Sequence, residues 1–480
     1  MSFRTVEKIG GTSMSDYKTV RDSIILNPAN KNFFYQRAFV VSAYGGITDQ
    51  LLENKKNGLP GVFGSFSNGI DNEDWQDSLE VLKDRILEIN KSLFQEKELL
   101  EKANLFILER LDEAERCLTD LQRLCHHGHF ELETHLNTVR EMLASIGEAH
   151  SAWNMAHLLQ RDGINAHFVD LTGWESDKHL LLDELIETVL SKINLEDSLP
   201  VITGYAHCKE GLMSSFDRGY SEITFSRIAV LTKASEAIIH KEFHLSSADP
   251  KLVFEENAVP IGRTNYDVAD QLANLGMEAI HPKAAKGLRQ NDIPLRVKNA
   301  FEPEHTGTLI TRDYVSNKPC VEIIAGCKEV YAIELFDQDM TTDINFYDQE
   351  ILRTIKRFKT HIISKDINAN TITHYLKTNL KTVKRICNIL KEVFPEAEIN
   401  QQKIAIVSAV GSDMQIPGLL AKTVNALAEN GISVLAVHQS MRQVDMQFIV
   451  NIDDYEEAVK NLHFSLVEVH DHGRAICLAS

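Results

Sequence analysis

Two short apolar strands, each running into a pair of glycines, stand within the first 50 residues, and together they point to a parallel α/β sheet. In "TVEKIGGTSMSDY", from Thr5, the β-formers Val6 and Ile9 lead to Gly10 and Gly11, and Thr12 and Ser13 are good N-caps for a following helix. A strand, a glycine turn and a helix N-terminus together make an anion site, because bare N–H groups point outward and the helix dipole adds positive potential. Lys8 adds a mobile point charge there. The spacing is not that of a Walker A loop. In "AFVVSAYGGITD", from Ala38, a buried strand over Phe39 to Val41 ends at Ser42, and Gly45 and Gly46 lead into a polar turn with Thr48 and Asp49. In a parallel sheet both loops open at the carboxyl edge, where α/β proteins bind ligands. Either stretch alone is equally an ordinary β-turn-α junction.

The rest of the chain narrows the class. Its 480 residues are 43% hydrophobic, enough for sizeable cores and about two to four domains. No run of 18 apolar residues occurs, which argues against a membrane span. The N-terminus shows no signal-peptide h-region. The seven cysteines (117, 125, 208, 320, 327, 387, 477) have no framework spacing and fit reduced thiols in a cytoplasmic protein. A formal net charge of −19 disfavours nucleic-acid binding through a broad basic face. Over 74–160, Leu79, Leu82, Ile86, Ile89 and Leu93, then Leu118, Leu121 and Leu124, recur at helical spacing and predict long amphipathic helices packed within the molecule. "CHHGH" (125–129) matches no zinc signature and reads as the polar end of a helix, with no metal expected. The βα alternation returns over 165–305, with "LPVITGYAHC", "EAIIHKEFHLSSADP" and "IPLRVKNAF" as strands. From about residue 320 a βαββαβ pattern occurs twice, at a period of roughly 75 residues. Its helix "PGLLAKTVNALAENG" is expected to bury Leu420, Val424 and Leu427, with Gly431 as its stop.

In this order the motifs "KIGGTSM" (8–14), "VVSAYGGITD" (40–49), "SIGEAHSA" (145–152), "VITGY" (201–205), "FDRGYSEITF" (216–225), "SSADPK" (246–251), "GMEAIHP" (276–282) and "RVKNAFEPEHTGTLI" (296–310) resemble the aspartokinases of the amino-acid kinase family, over nearly the whole chain. The tail resembles paired ACT domains, which bind small effectors. "TVEKIGGTSM", "FDRGYSEITF", "IIHKEFHLSSADP" and "LGMEAIHPKAAKGLR" are closest to the subgroup associated with ectoine synthesis. The resemblance implies an α/β amino-acid-kinase-like three-layer sandwich over 1–312, with a helical insertion at about 74–160. Two α+β ferredoxin-like ACT domains would follow at 320–400 and 401–480, the last strand free to return to the first of them.

The implied reaction moves the γ-phosphoryl group of ATP to the side-chain carboxylate of L-aspartate, with Mg²⁺. Such a transfer joins two anions, so it needs positioning and charge neutralisation rather than a general base. By resemblance, Lys8 reaches the phosphates and Gly10, Gly11 and Gly45 cradle them. Ser42 and Thr48 line the phosphate and aspartate sites. Glu148 receives the substrate ammonium. Arg218 clamps the α-carboxylate with its planar fork, beside Gly219 and Ser221. Singly, Lys8 could be a solvated strand end, Glu148 a helix-surface charge in a capping box with Ser145, and Arg218 a surface partner of Asp217.

Departures concentrate in the nucleotide half. The family loop R-G-G-S-D has Tyr220 at its second glycine and Glu222 at its aspartate, where the longer carboxylate is expected to orient the catalytic lysine. The family's T-D pair becomes His240-Lys241, D-P-R becomes Asp249-Pro250-Lys251, G-A-K becomes Gly276-Met277-Glu278, and the ATP-pocket tyrosine becomes Ser246. Either the nucleotide sits on a remodelled surface, with His240, Lys241 and Lys251 as the candidate contacts, or the phosphate donor differs. These changes motivate a second hypothesis, a catalytically silent amino-acid sensor; a glutamate or acetylglutamate kinase is a third, disfavoured by the tail. Effector binding is expected at the loop with Gly411, Ser412, Asp413 and Gly418, or at the equivalent "LFDQDM" (335–340), in a homo-oligomer of two or four chains.

Overall fold

The computed structural model describes residues 3–55, 57–68, 74–127, 129–174, 179–194, 197–216, 219–277 and 279–468. The chain divides into two compact units, one of residues 1–244 and 280–312, the other of 245–279 and 313–480.

In the first unit the strands are β1 (Thr5–Ile9), β2 (Arg37–Val41), β3 (Ala166–Val169), β4 (Leu199–Thr203), β5 (Glu236–Lys241), β6 (Leu295–Asn299) and β7 (Thr308–Thr311), in the spatial order β3-β4-β2-β1-β5-β6-β7. Every pairing is parallel except β6 with β7. β1, β2 and β4 are buried at every residue, as expected of a parallel sheet covered on both faces. The central strand β1 nevertheless carries two adjacent charges. Strand alternation sends Glu7 and Lys8 to opposite faces. On one face Glu7 accepts from Arg37 Nε and pairs with His240 Nε2, both at 2.7 Å. Burial alone would raise the Glu7 carboxyl, but Arg37 and then His240 hold it below the usual carboxylate range. Lys8 is left to the other face.

The helical insertion is three helices, Asp74–Leu93, Lys97–Cys125 and Glu133–Arg161. Leu79, Leu82 and Ile86 are buried as their spacing predicts. On the second helix the apolar stripe is Ala103, Ile107, Leu111, Ala114 and Leu118; Leu124 is exposed beyond it. That helix ends at Cys125, capped by His126, and Gly128 lies outside the described residues.

The second unit holds β8 (Ile323–Phe336), β9 (His361–Ile367), β10 (Thr371–Lys377), β11 (Glu398–Val410), β12 (Val434–Gln439) and β13 (Asp445–Asn451), in one antiparallel sheet ordered β9-β10-β8-β11-β13-β12. The two ferredoxin-like repeats share their long strands. Residues 398–404 of β11 pair with 330–336 of β8 and close the first repeat, while 404–410 pair with β13 and open the second. The fourth strand of the second repeat is residues 323–327, from the start of β8. A strand returning from the C-terminus would lie beyond residue 468, outside the described residues. Helix Leu419–Ala428 buries Leu419, Thr423, Ala426 and Leu427, and Leu420 is exposed. The buried face is the one packed in a core with Val407, Phe448 and Leu462, one residue out of phase with the expected one at Leu419. Helix Tyr266–Asn274 lends Val268 and Leu272 to a core with Ile323, Ile406 and Ile449.

Candidate active site

The two glycine junctions meet at the carboxyl edge of β1 and β2. A Cβ on Gly11 would stand 2.6 Å from the Ala43 carbonyl, so no side chain fits between them. Gly10 caps the short helix Gly11–Met14, and its N–H donates to the His240 carbonyl at 3.3 Å. Gly45 N–H donates to Ser15 Oγ at 3.0 Å, and Gly46 has φ +80. Ser42 N–H donates to Ile9, and the Ser42 carbonyl accepts from Ser151 Oγ at 2.8 Å. Thr48 is half-buried in helix Ile47–Leu51.

Beneath this edge lies a buried charged centre. Lys8 is 7% exposed, which excludes a solvated strand end. Its Nζ stands 3.8 Å from Glu222 Oε1. Glu222 comes from the first turn of helix Tyr220–Leu231, and its Oε2 accepts the backbone N–H of His281. Burial would raise the Glu222 carboxyl; Lys8, then Lys241, more than offset this and hold it below the usual range. The register pairs Lys8 with Ile239, so Lys241 lies on the Lys8 face and His240 on the opposite one. His240 accordingly belongs to the Glu7 network.

Glu148 lies inside helix Glu133–Arg161 and is 2% exposed, so it is neither a surface charge nor a cap. Burial pushes its carboxyl up to about 8, against the opposing charge of Lys8 and hydrogen bonds from the Tyr205 backbone, the Tyr220 side chain and the Ala43 backbone. Its Oε2 has no hydrogen-bond partner among the described residues. A Cβ on Gly204 would come within 2.9 Å of that oxygen and 2.7 Å of Ser221 Cβ. A buried carboxylate oxygen without a donor suits a cationic ligand. Gly219 caps the Tyr220 helix and packs against the His281 ring, and Ser221 is buried in its first turn. Asp217, Arg218 and Glu278 lie outside the described residues.

Comparison with known proteins decides the family. A model of the amino acid kinase family matches residues 3–299, and an ACT domain model matches residues 407–466. The chain is 54% identical to "Aspartate kinase Ask_Ect" of Stutzerimonas stutzeri, over 99% of this chain and 100% of that protein. The chain belongs to the aspartate kinases. It is also 24% identical to aspartokinase 1, chloroplastic, of Arabidopsis thaliana, over 97% of this chain and 80% of that one. Among solved structures it shares its fold with E. coli aspartokinase III in complex with aspartate and ADP, at TM-score 0.72 and 20% identity, covering 97% of this chain and 100% of the other. The lysine and aspartate complex of that enzyme matches at TM-score 0.71 and 20% identity, over 97% of this chain and 99% of the other.

Other candidate residues of this kinase lie in the second unit. Lys251 is exposed in a four-residue helix capped by Asp249, and Ser246, Gly276 and Met277 belong to the same unit. In the loop after β11, Gly411 packs on the Cys320 carbonyl, Ser412 bonds to the buried Glu322 through both its N–H and hydroxyl, and the Asp413 carbonyl accepts from Cys320 N–H at 2.9 Å. The chain's own residues thus already engage much of this loop. Reading the sequence for site residues passed over Glu141, Tyr205 and the His281 backbone. Glu141 had one usable signal, its place about two turns before Glu148 on one helix. Among the described residues no helix is long and apolar enough to cross a membrane.

Proposed function

We propose that this aspartate kinase holds L-aspartate and the γ-phosphoryl group of ATP at the Lys8–Glu148–Glu222 centre, and that its 4-phospho-L-aspartate feeds ectoine synthesis. The observation that carries the assignment is Lys8 buried beside Glu222, with Glu148 Oε2 lacking any donor among the described residues. Glu148 takes the substrate ammonium and Arg218 its α-carboxylate. The β-carboxylate is already a nucleophile, so the protein's task is to bring it in line and neutralise charge. Lys8, held in direction by Glu222, meets the transferring phosphoryl group, while N–H groups of the two glycine junctions other than those of Gly10 and Gly45, which donate to the His240 carbonyl and Ser15 Oγ, meet phosphate oxygens. Glu222, a carboxylate on the Lys8 face, is the side chain that would help to hold Mg²⁺, which would supply further charge neutralisation. The complex of E. coli aspartokinase III with aspartate and ADP supports the substrate pair. Purified protein with aspartate and ATP should give an acyl phosphate trapped by hydroxylamine as the hydroxamate. No hydroxamate from aspartate, or more from glutamate or acetylglutamate, would overturn the reading. The ectoine link fails if deleting the gene leaves ectoine levels under salt stress unchanged.

Lys241 is the nucleotide contact that the altered family pocket leaves on the Lys8 face; Lys251 is the second candidate, in a different unit. Lys241→Ala should raise the KM for ATP several-fold, more at low salt, because an exposed phosphate contact is screened over about 10 Å at 0.1 M. The KM for aspartate should move less. An unchanged KM for ATP at both salt levels would take Lys241 out of the nucleotide site.

The second unit is proposed to bind an amino acid of the pathway, as the solved relative crystallised with lysine suggests. A panel of amino acids should include one that changes the rate several-fold, in line with typical couplings of about 1–3 kcal/mol. Asp413→Ala should abolish that response and spare basal activity. A response that survives moves the site toward 335–340, and no binding in calorimetry would leave the tail as an assembly module.

A further inference from the structure

We propose that Tyr220 is a positioning residue for the substrate amine: with Tyr205 and Glu141 it holds Glu148 in the orientation that receives an ammonium group. The inference rests on the assignment of Glu148 to that amine. Glu141 and Glu148 lie about two turns apart on helix Glu133–Arg161. Glu141 Oε2 accepts the Tyr205 hydroxyl at 2.6 Å. The Tyr205 ring meets Tyr220 edge-on, with centroids 5.5 Å apart at 76°. The Tyr220 side chain then hydrogen-bonds to Glu148. A chain of contacts leaves the helix at one glutamate and returns to it at the other. Its far end is stiff, because Glu141 also accepts the N–H groups of Met213 and Ser214, at 3.1 and 2.9 Å. Both tyrosines are buried, at 1% and 3% exposure, so neither hydroxyl trades its partner freely for water.

The Tyr220 hydroxyl gives Glu148 a hydrogen bond that favours the carboxylate form. Oε2 stays without a partner among the described residues. Facing Glu148 are Lys8 from β1, the backbone of Ala43 from the second glycine junction, the backbone of Tyr205 after β4, and Tyr220. Glu222 lies beyond Lys8.

Tyr220→Phe keeps the ring and its edge contact but deletes the donor. A hydrogen bond to a charged group typically accounts for about a tenfold change in affinity. At neutral pH the KM for aspartate should rise about tenfold, with the KM for ATP changed by less than about twofold. The acid limb of kcat/KM for aspartate should move up by roughly one pH unit, so the defect shrinks in alkali. Tyr205→Phe, which cuts the link to Glu141 but keeps the donor, should move the limb the same way and less. A folded Tyr220→Phe enzyme whose acid limb coincides with the wild type would overturn the proposal. So would a loss of kcat equal at every pH, which would mark a purely structural role. Failure of the underlying assignment looks different: Glu148→Gln would then leave the KM for aspartate unchanged.

Discussion

Lys8→Ala is expected to lower kcat by about a hundredfold or more, because the lost group is a preorganised charge at the developing phosphoryl charge. The KM for aspartate should rise less than kcat falls. Removing a buried cation commonly destabilises a fold by leaving its partners uncompensated. Here the partners can relax by protonation. Burial already pushes Glu148 up to about 8, and Glu222 is held low chiefly by Lys8. Without the ammonium the Glu148 carboxyl shifts further upward and takes up a proton, while Glu222 keeps Lys241 and the His281 N–H as partners, so the folded state should persist. Steady-state kinetics beside a thermal melt and far-UV circular dichroism would check this. A folded variant with the wild-type kcat would remove Lys8 from the chemistry.

Glu148→Gln is expected to raise the KM for aspartate by about tenfold to a hundredfold, since it replaces a charge-assisted contact to an ammonium by a neutral one. The pH dependence gives a second test. The folded carboxyl titrates near 8, above its ordinary value of 4.5. Stability associated with this group is fully present below the unfolded value and is lost as pH rises through the folded one. In the ligand-free protein, the Tm difference between Glu148→Gln and wild type should therefore become more favourable to the variant between pH 5 and 9. In the wild type, kcat/KM for aspartate should climb through the same range as the carboxylate forms, and in the variant that rise should be absent. A pH-independent Tm difference, with an unchanged KM, would show that Glu148 is a neutral packing group.

Much of the fold was legible because its signals are local. The glycine pairs mark the ends of β1 and β2, where close backbone approach excludes side chains. The spacing of Leu79, Leu82 and Ile86 marks a helix face, and the repeated strand-helix order marks the paired repeats. What stayed illegible depends on phase and partner. The buried stripe of helix Leu419–Ala428 runs through Leu419 rather than Leu420, because the face it buries is set by the core it packs against, with Val407, Phe448 and Leu462. The second repeat takes its fourth strand from residues 323–327, since β8 and β11 are long enough to serve both repeats.

The candidate site divides in the same way. The sequence by itself determined which residues are candidates for the chemistry: a lysine before a glycine pair, a glutamate in "SIGEAHSA" and a carboxylate after "DRGYS", each in family order. Only the tertiary structure decided where they sit and what they touch. Alternation along β5 shows that His240 and Lys241 must face opposite ways, yet it took pairing with β1 to place His240 against Glu7 and Lys241 on the face of Lys8. The unpartnered oxygen of Glu148, and the tyrosine chain that ties it to Glu141, join residues far apart in the chain. Their proximity comes from packing one long helix on the sheet. No local pattern encodes such a contact, because its energy arises only when the separate elements exclude water together.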